Sequence, residues 1–127
     1  MTARDGIEPP RATLGSHVLA DLAGVDAMLL RDAARLEAIL TDAAQRAGAR
    51  VIGAHFHHFG GAHGVTGVVL LAESHITIHT WPEHRFAAVD AFMCGAARAA
   101  EAVDAIAAAL GTHAQVRQQM ARGEALT

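Results

Sequence analysis

The sequence predicts an α+β domain, a two-layer α/β sandwich with a mainly antiparallel sheet and two helices on one face. Three observations lead there. Two segments repeat apolar residues at three- and four-residue steps, the helical period. The segments around them alternate or run apolar between glycines, prolines and polar turns, the strand signature. Their order is strand, helix, three or four strands, helix, strand. Two helices cannot cover both faces of such a sheet, so one face is left for solvent, substrate or a second subunit.

Residues 1–11 read as a loose tail, because Gly6 and Pro9-Pro10 break regular structure. Thr13 to Leu22 is the first strand, anchored by Leu14, Val18, Leu19 and Leu22. Asp26 opens the first helix and caps its free N–H groups. Leu29, Leu30, Ala33, Leu36, Leu40 and Ala43 form its stripe, Arg46 suits its dipole and Gly48 stops it.

Arg50 to Phe59 is the next strand, with Val51, Gly53, His55, His57 and Phe59 on one face and Ile52, Ala54, Phe56 and His58 on the other. A Gly60–Gly64 loop leads to Val65–Ala72, apolar enough for a strand buried on both faces. Ile76 to Trp81 alternates and Pro82 ends it. In Phe86 to Cys94, the residues Phe86, Ala88, Asp90, Phe92 and Cys94 point one way.

Ala96 to Leu110 is the second helix, with Ala99, Val103, Ile106 and Leu110 as its stripe and Gly111 as its stop. His113 to Gln119 is a last strand, and the chain from Ala121 reads as loose. Strand–helix–strand over 13–59 and again over 86–119 hints at a βαβ-type repeat.

A length of 127 residues suits one domain, 1–127. Net charge is −3 and there is no long basic run, so the footprint of a nucleic-acid binder is missing. No apolar run reaches membrane-spanning length, and the N-terminus lacks an apolar signal region. A single cysteine, Cys94, cannot form an internal disulfide. These features predict a soluble, cytoplasmic protein without membrane or nucleic-acid partners.

Chemistry concentrates in Leu71–Glu83, which holds Glu73, Ser74, His75, His79 and Glu83 among apolar residues. Polar groups in such surroundings need partners or a task. A serine at a strand junction is most often a turn residue. A Ser–His hydrolase is a second reading, but no Gly-x-Ser-x-Gly elbow is present. Ser74 and His79 also differ in strand parity, so they meet only if Ser74 sits in a bend. His55 and His57 share a face and with His79 or a carboxylate would offer metal ligands. The spacing matches no tight metal signature, and the reading is that no metal is bound. Cys94 alone is ordinarily a small buried residue; facing a cleft, it can give or take a proton.

Taken together these residues resemble the prokaryotic pyruvoyl-dependent S-adenosylmethionine decarboxylase proenzymes. The resemblance is carried by Gly64-Val65-Thr66-Gly67-Val68-Val69, by Ala72-Glu73-Ser74-His75-Ile76-Thr77-Ile78-His79-Thr80-Trp81-Pro82-Glu83, by Ala87-Ala88-Val89-Asp90 and by Cys94-Gly95. Leu14-Gly15 with His17 and His55-Phe56-His57 add to it, so that it spans about residues 13–123.

The resemblance implies autocatalytic cleavage between Glu73 and Ser74, giving chains 1–73 and 74–127 and turning Ser74 into a covalently bound pyruvoyl group. That cofactor would form a Schiff base with the substrate's amine and take up electrons as carbon dioxide leaves. No lysine is present to carry pyridoxal phosphate. By the same resemblance His79 is the processing base, Thr66 supports processing and Cys94 is the proton donor in turnover. Glu83 binds ribose hydroxyls, Phe59 stacks on adenine, and the site forms in a homodimer. The implied activity is decarboxylation of S-adenosylmethionine for spermidine synthesis. The Gly60–His63 loop is about one residue longer than the common form and lacks its proline, beside Phe59. Ornithine or arginine are therefore alternative substrates, and an unprocessed metabolite-binding homologue is the alternative function.

Overall fold

The computed structural model describes residues 13–123. The elements are β1 (Gly15–Ala23), α1 (Ala33–Arg46), β2 (Val51–His58), β3 (Val65–Leu71), β4 (Ser74–Trp81), β5 (Phe86–Cys94), α2 (Ala99–Leu110) and β6 (Ala114–Arg122). They form one sheet in the order β2-β3-β4-β5-β1-β6. Every neighbouring pair is antiparallel. The β1–α1–β2 and β5–α2–β6 units each join strands of the same direction that are not neighbours. The first passes over β5, β4 and β3, and the second over β1.

Both helices lie on one face, as expected. Leu36, Ile39 and Leu40 of α1 and Val103, Ile106 and Leu110 of α2 are buried against Val18, Leu22, Val69, Ile76, Ile78, Val89 and Met93. Each such side chain contributes on the order of 1.5–3 kcal/mol by leaving water. Thr80 is the buried polar residue among the described ones, and it is satisfied. Its hydroxyl accepts from Val65 N–H at 2.8 Å and donates to the Leu30 carbonyl at 2.7 Å. Gly64 lets this corner close, because a Cβ there would run into the Thr80 carbonyl.

Several boundaries differ from the sequence reading. The residues Leu29–Arg31 form a 3₁₀ turn, and α1 begins only at Ala33. Asp32, not Asp26, is its cap, accepting from Arg35 N–H at 3.0 Å. Asp26 instead folds back on Met28 N–H. A bulge between Val51 and Gly53 shifts register in β2. Val51 therefore sits opposite Leu71 on the core side, while Gly53, His55 and His57 stay on the other.

The strand β3 is buried on one face only, since Leu70 is 53% exposed. Ala121 and Arg122 continue β6, pairing with Ser16 and Gly15. The expected N-terminal tail and the last four residues lie outside the described residues. Among the described residues no helix is long and apolar enough to cross a membrane.

The second face of the sheet carries no helix. Alternation places His17 and Leu19 of β1, His55 and His57 of β2, Leu70 of β3, His75 and His79 of β4, Asp90 and Phe92 of β5, and Val116 and Met120 of β6 there. Leu19, Leu70, Trp81, Val116 and Met120 are exposed large apolar side chains on it.

Candidate active site

The β3–β4 connection is a two-residue turn, Ala72-Glu73, closed by the pair Leu71 and Ser74. Such a turn needs a positive φ, and Glu73 supplies it at 62°. A residue other than glycine in this left-handed region stores on the order of 1 kcal/mol or more. The peptide that joins Glu73 to Ser74 thus follows a strained residue.

Cys94, at the end of β5, reaches this turn twice. Its N–H donates to the Ser74 hydroxyl oxygen at 3.1 Å. Its thiol donates to the Glu73 carbonyl oxygen at 3.1 Å. The hydroxyl oxygen of Ser74 is therefore held as an acceptor, and the carbonyl next to it is polarised by a thiol.

A second cluster lies at the other end of β4. Thr66 and His79 are cross-strand partners, with the Thr66 hydroxyl 3.2 Å from His79 Nδ1. They share a cavity of about 280 Å³ with Phe59, His63, Trp81 and Glu83. His57 packs edge-on against Phe59, with ring centroids 4.7 Å apart. His58 Nε2 donates to the His63 carbonyl at 3.0 Å and closes the Gly60–Gly64 loop beneath this cavity.

The structure thus brings Glu73, Ser74 and Cys94 together, and separately Thr66, His79, Phe59 and Glu83. It does not bring Ser74 to His79. Ser74 starts β4 in regular register with Leu71, so the bend that would have joined them is absent. Five residues of strand separate the two by about 17 Å at 3.3–3.4 Å per residue.

His55 and His57 share the uncovered face as their alternation requires, and line a second cavity of about 240 Å³ with Phe59 and His79. Among the described residues the close group of metal-ligand type is elsewhere: His17, His75 and Asp90. His17 Nε2 and His75 Nε2 lie 2.7 and 3.1 Å from Asp90 Oδ2. The Thr77 hydroxyl donates to Oδ1. Burial alone would raise the Asp90 carboxyl, but hydrogen bonds from Thr77, His17 and His75 hold it below the usual carboxylate value. Sequence reasoning did not assemble this hub. The signal was present in parity, which sends His75 and Asp90 to the uncovered face, but nothing local links them to His17, 73 residues from Asp90.

Fold and site together define a two-layer α+β domain that presents its reactive side chains at both ends of one central strand. A crystal structure of the adenosylmethionine decarboxylase from Aquifex aeolicus VF5 is similar to it. The TM-score is 0.80 at 43% identity, covering 87% of this chain and 92% of that one. The sequence model of the S-adenosylmethionine decarboxylase family matches residues 16–123, and the chain belongs to that family.

Among curated relatives, the S-adenosylmethionine decarboxylase proenzyme of Sulfurihydrogenibium sp. (strain YO3AOP1) is 51% identical over 65% of this chain and 62% of its own length. That of Thermodesulfovibrio yellowstonii is 50% identical over 65% of this chain and 60% of its own. The match to these two thus spans about three fifths of their length. The proenzyme of Anoxybacillus flavithermus is 40% identical over 87% of this chain and 89% of its own length.

Proposed function

We propose that this chain is a pyruvoyl-dependent S-adenosylmethionine decarboxylase that cuts itself once between Glu73 and Ser74. The observation that carries the reading is Cys94, which holds both the Ser74 hydroxyl and the Glu73 carbonyl at a strained turn. The names of the relatives, decarboxylase and proenzyme, support it.

In the cleavage step the Ser74 oxygen attacks the Glu73 carbonyl carbon. The C–N bond breaks as a C–O bond forms, and the Ser74 nitrogen takes a proton. The Cys94 thiol donates to the oxygen on which charge develops. His79 then removes the Cα proton of residue 74, the Glu73 carboxylate leaves, and water replaces the nitrogen as ammonia departs. Residues 1–73 and 74–127 become separate chains.

The residues at the turn fit a pyruvoyl group at position 74: a hydroxyl precursor, a neighbouring thiol and no competing amine, since the chain has no lysine. Once formed, that group supplies a carbonyl that binds the substrate's amine and accepts electrons as carbon dioxide leaves. Cys94 then returns a proton to the product, a role that its contacts with Ser74 and Glu73 support. Glu83 offers a carboxylate to ribose hydroxyls and Phe59 an aromatic face to adenine, in the cavity that also holds Thr66 and His79.

The 17 Å gap between Ser74 and His79 is closed by a homodimer. If two uncovered faces pack at the usual sheet spacing of about 10 Å, a two-fold axis near the middle of β4 brings the Ser74 end of one strand over the His79 end of its partner. Ser74 shares the parity of the buried Ile76 and Ile78, so it meets His79 at the turn that opens β4 and not from within the packed face. The exposed Leu19, Leu70, Val116 and Met120 support this packing, because they gain by leaving water. Each site then takes Glu73, Ser74 and Cys94 from one chain and Thr66, His79, Phe59 and Glu83 from the other. The product would serve as the aminopropyl donor for spermidine synthesis.

Denaturing mass spectrometry tests this reading. Two fragments split at 73/74, the second carrying a pyruvoyl mass, are expected, followed by carbon dioxide release from S-adenosylmethionine. A chain that stays intact at neutral pH contradicts the cleavage. Release from ornithine or arginine instead contradicts the substrate.

A further inference from the structure

The hub of His17, His75 and Asp90 has no part in the chemistry above, yet it sits one residue from Ser74. Its protons can be assigned from its partners. Arg122 Nη1 lies 2.9 Å from His17 Nδ1. An arginine can only donate, so that nitrogen carries the lone pair and His17 Nε2 carries the hydrogen given to Asp90. His17 is then bonded at both ring nitrogens. His75 differs: its Nε2 faces the same Asp90 oxygen at 3.1 Å, and among the described residues its Nδ1 has no partner.

An ionised Asp90 makes His75 Nε2 the donor and leaves Nδ1 as a lone pair. This is the arrangement in which a carboxylate orients an imidazole as a base. The charged or titratable groups around His75 are Asp90 on β5 and His17 on β1, with Arg122 of β6 bonded to the far side of His17. Across β3 its partner is the apolar Leu70. The His75 side chain is 35% exposed on the uncovered face. The same protons argue against a metal at this hub, since His17 Nε2 is occupied by hydrogen and Arg122 brings a positive charge alongside.

We infer that His75, oriented by Asp90, is the base that frees the substrate's amine for reaction at residue 74. This rests on the decarboxylase reading above. The substrate class is a primary α-ammonium, which has no lone pair until it loses a proton. His75 Nδ1 takes that proton and becomes imidazolium, and the nitrogen lone pair is left free to bond to a carbonyl carbon. Asp90, His17 and Arg122 are positioning residues: they fix which nitrogen of His75 carries the hydrogen and which is left as the base. Cleavage at 73/74 uses none of them.

The test has one arm independent of turnover. In the uncut Ser74→Ala chain, imidazole ¹⁵N spectra should show His75 hydrogen on Nε2 and a bare Nδ1. Asp90→Asn should scramble that tautomer. A His75 protonated on Nδ1 overturns the proposal. In the otherwise unmodified chain, His75→Gln keeps a donor toward Asp90 but has no base. It should be cut at the normal rate and then lose about 10²-fold or more in kcat/KM. His75→Ala should regain activity with free imidazole, which a merely structural loss would not.

Normal turnover by cut His75→Gln, failure of that variant to cut, or no rescue by imidazole overturns the inference. So does activity of the unmodified enzyme that is lost to a chelator and restored by zinc. If the unmodified chain neither cuts nor releases carbon dioxide, the decarboxylase reading itself has failed, and the tautomer experiment still judges the His75 geometry.

Discussion

The thiol of Cys94 and the carbonyl oxygen of Glu73 lie 3.1 Å apart, joining the end of β5 to the turn that opens β4. The contact gives one cysteine two tasks at different times. On the proposed reading it polarises the carbonyl under attack before cleavage, and afterwards it supplies the proton that turnover needs. Cys94→Ala should therefore slow cleavage roughly fivefold, as a hydrogen bond worth on the order of 1 kcal/mol would. Turnover of whatever is cut should fall further, by about 10²–10⁴-fold. Gel densitometry over time and single-turnover carbon dioxide release separate the two effects.

Glu73 holds a φ of 62°. Glycine adopts that conformation at little cost. Glu73→Gly should raise the thermal stability of an uncleavable Ser74→Ala chain by roughly 0.5–1 kcal/mol. In the cleavable chain it should slow the cut, because strain that breaking the peptide relieves is gone. Calorimetry and a cleavage time course check the two halves.

Thr66 faces His79 at 3.2 Å across β3 and β4. Thr66→Ser keeps the hydroxyl and should be cut at close to the normal rate. Thr66→Val keeps the shape and loses the bond. His79 is then less well held, and the half-time of cleavage should lengthen by about tenfold or more.

Asp90 sets an acid limit on stability. Its carboxyl is held below the usual value in the fold, so its contribution is complete above the unfolded value of 3.8 and is lost as pH falls through the folded one. Urea midpoints of the Ser74→Ala chain should drop below about pH 4, and Asp90→Asn should flatten that drop.

The strand and helix order was legible because alternation and three–four periodicity are local. The span of β5, Phe86–Cys94, and the side each residue takes follow directly from its pattern. The start of α1 was not legible, since Asp26 and Asp32 are both acceptable caps and only the 3₁₀ turn between them decides. The bulge at Val51–Gly53 left no mark in composition. At the site, the opposite parity of Ser74 and His79 was visible, and it made their meeting within one chain conditional on a bend at Ser74. The structure keeps the strand regular, so that condition is not met within one chain. The Asp90 hub needed β1, β4 and β5 side by side, a tertiary fact that no local pattern encodes.

A second chain is the point on which the account turns. His79→Ala and Ser74→Ala chains, each uncut alone, can be unfolded, mixed and refolded together. In the mixed dimer one site pairs Ser74 of the first chain with His79 of the second. Mass spectrometry should then show the His79→Ala chain cut at 73/74, in up to about half of its copies, the share that random pairing allows. If the unmodified chain cuts itself under the same conditions while the mixture stays intact, Ser74 and His79 do not act across two chains, and the composite site is contradicted.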